Sequence, residues 1–359
     1  MERQRKLSHS VGEPEILCRI SPKVEPINPL QNMKNNLLFY VLFGIALLIP
    51  KAYSSNPIRN GLPEYGIRDC HILYDKHSYF LVGTEIAPPG EEKKGITLYA
   101  SSDLKKWQKQ ALLISRDSIP VDSRFRDGWD SPELHHIRGR YILSFGGRNN
   151  SVNPYSPTEI VLAVSESIRG PYRIITPEPI VKGNRFTLME DTDGQVYAYW
   201  ELDGSLYGAP MNENLDGLAR EPQMLLAPRQ LRADDRFLDA PSVLKLAGTY
   251  YLFYTVFKGG YYAAYATSDS PLGAWSSRQS DILFYRSEDQ APTQLRGTYA
   301  APLTFAPPCE IIGNIQLFRG KGKRWYIAYH SEDKYAEPFL CIDSATVVPG
   351  EIKCNISLP

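Results

Sequence analysis

The chain has 359 residues, 43% of them hydrophobic and 22% charged, an ordinary globular composition with ample material for a core. Lys and Arg number 40 and so do Asp and Glu, so no whole-molecule field draws the chain to nucleic acid or to an acidic membrane surface, and a neutral partner is expected. The 23 Tyr, 28 Pro and 26 Gly suit many short strands joined by tight turns and argue against long helices, which Pro and Gly interrupt.

In chain order, the first pronounced feature is the apolar run NLLFYVLFGIALLIP, residues 36–50. It is too short for a hydrocarbon core that needs roughly 20 residues, so no stable membrane span is expected. Met33 and Lys34 give it a short basic start, and Ala52-Tyr53-Ser54 ends it with a small-x-small cleavage site, so residues 33–54 read as a secretory signal peptide. Residues 1–32 form no periodic pattern and read as a non-native extension, with the true start at Met33. A secreted or periplasmic location follows.

Export makes disulfides possible among Cys70, Cys309, Cys341 and Cys354. Cys341 and Cys354 flank the hairpin IDSATVVPGEIK and form the favoured pair, with buried thiols as the equal alternative. There is no CxxC or His-Cys cluster, so no structural zinc site is expected.

From residue 66 a single unit recurs five times: a Tyr-rich strand-turn-strand hairpin, a connection, then a third and a fourth strand. The hairpins are ILYDKHSYFLVG, LHHIRGRYILSF, LMEDTDGQVYAYW, VLKLAGTYYLFY and LFRGKGKRWYIAY. Anchored on Tyr79, Tyr141, Val196, Tyr250 and Trp325, they repeat at intervals of 62, 55, 54 and 75 residues. That period predicts an all-β, five-bladed β-propeller of four-stranded antiparallel blades, one domain over residues 61–359, with residues 55–65 as a leader at the closure. Segments such as SSDLKKW and SDSPLGAW read as turns followed by an aromatic plug between blades, with Asp103, Glu166 and Asp269 as turn formers.

Starts of inner strands converge on one mouth of a propeller. Counting back equally from the anchors, the position of Asp239 is taken by Arg68, Asp130, Arg185 and Asn314 in the other units, with Asp69 one residue deeper than Arg68. Carboxylates and guanidiniums gathered in one ring shift each other's protonation, which suits acid and base catalysis. Glycoside hydrolysis with inversion uses two carboxyl groups roughly 6.5–9.5 Å apart, a span that opposite sides of a small funnel provide.

Several motifs then converge. RDCHILYDKHSYFLVGT, WDSPEL, LMEDTDGQVYAYW and LDAPSVLKLAGTYYLFYT followed by YATSDSPLGAW together resemble glycoside hydrolase family 43 over residues 61–359. The resemblance implies inverting hydrolysis of plant-polysaccharide linkages, often arabinosides or xylosides, by an Asp base, a Glu acid and a third Asp that tunes the acid. By position, Asp69 is the base and Asp239 holds the place of the acid, with Asp standing for Glu. Arg185 stands where the third-blade acid belongs. Asp130 and Glu133 are the candidates to replace that missing carboxylate, Glu133 as a substrate or Arg185 partner, and Trp129 is a candidate for stacking on a sugar.

Arg68 and Asn314 complete the expected substrate ring. The family often places a fifth-blade His near a central metal or water; here that spot holds Asn314, and no cofactor is expected, with a central metal ion as the open alternative. His330, at the far end of its strand, reads as a core or rim histidine, and of His135 and His136 at most one approaches the mouth. The reading is a secreted glycoside hydrolase acting on a neutral oligo- or polysaccharide. Its rivals are a carbohydrate-binding propeller without hydrolysis and a protein-interaction propeller.

Overall fold

The computed structural model describes residues 56–151, 158–176, 178–231, 236–257, 261–276, 282–285, 312–332, 337–348 and 351–355, all within the compact unit Tyr53–Pro359. The extension, the signal segment and Cys309 lie outside the described residues.

The chain forms five four-stranded sheets, each built from strands consecutive in sequence. Blade one holds β1 (Ile67–Asp75), β2 (Ser78–Glu85), β3 (Gly95–Ser101) and β4 (Gln108–Ser115). Blade two holds β5 (Asp127–Ile137), β6 (Arg140–Arg148), β7 (Glu159–Ser165) and β8 (Arg173–Ile174). Blade three holds β9 (Asn184–Glu190), β10 (Val196–Leu202), β11 (Ser205–Pro210) and β12 (Gln223–Leu226). Blade four holds β13 (Phe237–Leu246), β14 (Thr249–Phe257), β15 (Tyr261–Ser268) and β16 (Ile282–Tyr285). Blade five holds β17 (Ile312–Arg319), β18 (Trp325–Glu332), β19 (Pro338–Val348) and β20 (Glu351–Asn355). All pairings within blades are antiparallel. The innermost strands meet in the order β1, β5, β9, β13, β17, and β17 returns to β1, so the ring is closed.

The alternation that makes each strand also fills the gaps between blades. Five apolar clusters lie among the described residues, one between each pair of neighbouring blades, from Phe80 and Phe145 between the first two to Tyr79 and Phe318 between the first and last. Trp107, Tyr172 and Trp275, the aromatic plugs, pack into these clusters, and Asp103 accepts the backbone N–H groups of Lys105 and Lys106 as a turn former. Trp200 belongs to the core too, stacked between Phe186 and Tyr207.

The ring closes through the leader. Ile58 N–H bonds Leu340 O at 2.9 Å, while Asn56 donates to Asp343 Oδ2 at 3.0 Å and accepts Ile342 N–H at 2.9 Å. The segment that precedes blade one is therefore pinned to the third strand of blade five. The expected Cys341–Cys354 bond is not formed. Cys354 stands opposite Ala345 in the β19–β20 ladder, four positions along from Cys341, and a disulfide needs facing Cβ atoms.

Candidate active site

Each inner strand breaks its ladder at the mouth. The pairing slips between Arg68 and His71, Asp130 and Glu133, Asp239 and Ser242, and Gly313 and Gln316, and in blade three opposite Tyr199–Glu201. At these bulges Asp69, Ser131, Arg185, Ala240 and Asn314 take φ values of +53°, +48°, +55°, +52° and +51°. A non-glycine residue held there costs of order 1–3 kcal/mol, and such bulges re-aim side chains beside functional sites.

The bulges correct the count of equivalent positions. Arg68, Asp130 and Asp239 precede their bulge, whereas Arg185 and Asn314 occupy it, one step deeper. The third and fifth hairpins are one residue longer: Glu190 faces Val196 and Arg319 faces Trp325, where Tyr74 faces Tyr79. A count from the hairpin tips therefore slips by one in those blades.

Asp69 is the centre of the mouth. It is 2% exposed, and its Oδ2 accepts the hydroxyls of Thr84 at 3.0 Å and Ser131 at 3.2 Å. The Ser131 N–H in turn bonds Thr84 Oγ1 at 2.7 Å, so blade two orients the hydroxyl that blade one presents. Arg185 Nη1 bonds Asp69 Oδ1, and Arg68 Nε lies 3.6 Å from Oδ2. Burial by itself would raise this carboxyl; Arg185, with His330 and Arg68 behind it, drives it well below the usual carboxylate range.

The other nitrogen of the same guanidinium, Arg185 Nη2, lies 3.5 Å from Asp239 Oδ2. Burial disfavours the Arg185 charge, but Asp239 and Asp69 outweigh it and hold the group firmly cationic. Two carboxylates thus bracket one planar cation.

Asp130 stays at the mouth, paired with Lys93 at 2.8 Å and Arg148 at 3.4 Å, and it adds to the field on Arg185. Glu133 does not join it. The second bulge of β5 drops Glu133 into the channel between His71 and His135, so Arg185 pairs with Asp69 and Asp239 and not with Glu133. Trp129 is 2% exposed with its indole N–H on Phe125 O at 3.0 Å, so it plugs the core and offers no face to a sugar. His135 is buried facing the channel, and His136 stacks outside on Tyr141. Asn314 holds the bulge of blade five.

Several site residues escaped the sequence reading because they sit on second strands. Thr84, Glu201 and His330 each face the residue before a bulge, namely Arg68, Asn184 and Gly313. Glu201 accepts Gly204 N–H at 2.6 Å and the Asn184 amide at 3.0 Å, and Gly204 O accepts Leu238 N–H at 2.9 Å. This buried carboxylate therefore holds the backbone beside both Arg185 and Asp239. Burial pushes its carboxyl upward.

His330, expected to lie away from the mouth, is brought to it because the antiparallel hairpin returns the end of β18 beside the start of β17. Its Nδ1 accepts Asp69 N–H at 3.2 Å. A Cβ on Gly313 would come within 2.6 Å of this ring, so only glycine admits it. Burial lowers His330 from 6.5 to about 4, so at neutral pH it is an uncharged acceptor. The native state then binds fewer protons than the unfolded chain between those values, and the contribution is full above the window and lost as pH falls through it. Stability is expected to drop by about 3 kcal/mol from this group between pH 7 and pH 4. Urea unfolding across that range should show the decline, and His330→Gln should flatten it; an unchanged slope would assign the protons elsewhere.

Comparison with known proteins fits this geometry. The beta-D-galactofuranosidase xynD of Aspergillus niger is 23% identical over 250 residues, which cover 65% of this chain and 64% of that relative. A thermostable family-43 glycoside hydrolase superposes with a TM-score of 0.67 at 20% identity, covering 86% of this chain and 97% of that one. An endo-1,4-beta-xylanase of Bacteroides thetaiotaomicron gives 0.63 at 22% identity, covering 81% and 94%. An endo-arabinase of the same organism gives 0.63 at 19% identity, covering 82% and 99%. These likenesses show the fold. Residues 55–344 match Glycosyl hydrolases family 43 as a whole, and the chain belongs to that family.

Proposed function

We propose that the chain is an inverting glycoside hydrolase acting on a neutral oligo- or polysaccharide of the arabinoside or xyloside kind. The observation that carries this is the single buried Arg185 shared by Asp69 and Asp239 at the propeller mouth. The names of the similar proteins, a galactofuranosidase, a xylanase and an arabinase, support a plant- or cell-wall-type glycan.

In this reading Asp69, kept ionised by Arg185 and oriented by Thr84 and Ser131, takes a proton from the water that attacks the anomeric carbon. Asp239, on the other side of the guanidinium, takes up a proton as sugar binding draws Arg185 away and gives it to the departing glycosidic oxygen, and the sugar leaves with inverted configuration. Arg185 contacts both carboxylates, so sugar binding must draw it aside to admit water to Asp69. Asp130, held by Lys93 and Arg148, is placed to meet sugar hydroxyls at the rim.

Asp239→Ala tests the assignment. Activity on unactivated oligosaccharides should fall about 10²–10⁴-fold, with a much smaller loss on aryl glycosides whose leaving group needs little protonation. Equal losses on both substrates would remove Asp239 as the acid. The rival reading, a carbohydrate-binding propeller without turnover, draws on the same Arg185 contacts, which engage both carboxylates; it would gain if purified protein bound sugars yet hydrolysed none.

We also propose export through removal of residues 33–54. Mass spectrometry of the exported protein should find an N-terminus near Ser55, and an intact Met1 on exported protein would defeat the idea. Among the described residues no helix is long and apolar enough to cross a membrane.

A further inference from the structure

Below the mouth, the channel holds a second polar cluster that the hydrolytic reading does not use. His71 comes from β1, and Glu133 and His135 come from alternate positions of β5, so all three face the axis. Their ligand atoms lie within 4.8 Å of one another. Glu133 Oε2 is 3.2 Å from His135 Nε2 and 3.6 Å from His71 Nε2. All three residues are at least nine-tenths buried, with exposures of 9%, 6% and 9%. Glu133 Oε2 and His135 Nε2 face each other without a well-aligned hydrogen bond, and neither has another hydrogen-bond partner. A buried carboxylate oxygen and a buried imidazole nitrogen so poorly matched are costly unless something joins them better.

We propose that His71, Glu133 and His135 bind one divalent first-row transition ion, with zinc as the reference, in the channel beneath Asp69. Two imidazole nitrogens and one carboxylate oxygen suit zinc and its neighbours, whereas calcium and magnesium take oxygen ligands. Metal–ligand bonds of about 2.0–2.2 Å set tetrahedral neighbours roughly 3.3–3.6 Å apart. The separations of 3.2 and 3.6 Å match that edge, and the two imidazoles' ligand atoms lie within 4.8 Å of each other. The open positions of the ion face a channel cavity of about 340 Å³, lined also by Thr187, Ser242 and Gln316, which gives ion and water a way in.

Binding requires one exchange. His71 Nδ1 accepts Leu134 N–H at 3.3 Å, so ligation through Nε2 moves the ring proton to Nδ1 and gives up that long bond. In return the ion ties β1 to β5 two residues from Asp69. The site shares no residue with the proposed hydrolytic pair, so it stands or falls independently of that reading.

Untagged full-length protein, stripped with a chelator, should be titrated with zinc chloride by calorimetry and its metal content measured by mass spectrometry. One equivalent of zinc, a melting temperature several degrees higher with zinc, and a cobalt(II) spectrum with d–d bands of nitrogen ligation are the expected results. His135→Ala and Glu133→Gln should each weaken binding more than about 10-fold and remove the zinc-dependent rise. Should a variant fail to fold, X-ray absorption of the zinc-loaded parent decides, since it must show two imidazole nitrogens. Substoichiometric uptake of zinc and cobalt by the parent, uptake undiminished in the folded variants, or a ligand shell without imidazole would overturn the site.

Discussion

Asp69→Asn is expected to slow hydrolysis about 10²–10⁴-fold on aryl glycosides and on unactivated oligosaccharides alike, the size of a general-base contribution. Water activation is needed whatever the leaving group, so the loss should not depend on it. Asparagine keeps an oxygen for the Thr84 and Ser131 hydroxyls but brings no charge to Arg185, so geometry is largely retained while the base is lost. Sugar affinity, measured by calorimetry, should change far less than kcat. A variant that turned over aryl glycosides at the parent rate would remove Asp69 from the reaction, and the contrast with Asp239→Ala would then have no meaning.

Arg185→Ala should be the most destabilising single change at the mouth, by about 3–5 kcal/mol, because it leaves a buried carboxylate without its chief counter-ion. Asp69 is 2% exposed, and burial without Arg185 raises its carboxyl. The sign of its linkage then reverses. In the parent, the folded-state value lies below the ordinary one of about 3.9, so the contribution is present above that pH and lost only in strong acid. In the variant the folded value rises above the unfolded one, so the native state binds more protons and the Asp69 contribution grows as pH falls. Denaturation midpoints across pH 4–7 would reveal the reversal, and the acid limb of the rate profile should shift upward with it. A profile and stability equal to the parent's would place Arg185 outside the site.

Much of the architecture was legible in the linear chain. Period-two alternation and Tyr-rich hairpins recurring five times announced five four-stranded blades, because strand formation and hairpin closure depend on neighbours a few residues apart. Asp69 and Asp239 could be named from their place before those hairpins, and the motifs pointed to the family. What tertiary structure decided was which side chains meet. Arg185 and His330 reach Asp69 from 116 and 261 residues away, and no local pattern encodes those contacts.

Two hairpins one residue longer than the rest moved Arg185 and Asn314 deeper, and the bulge that β5 shares with β1 set Glu133 in the channel beside His71 and His135. A one-residue slip reverses the side a strand residue faces, so equal counting through unequal turns misassigns it. Trp129 and Thr84 show the same division: the residue types were visible, but whether each is packed into the core or aimed at Asp69 depends on the blades beside it, and that is settled only when the ring closes.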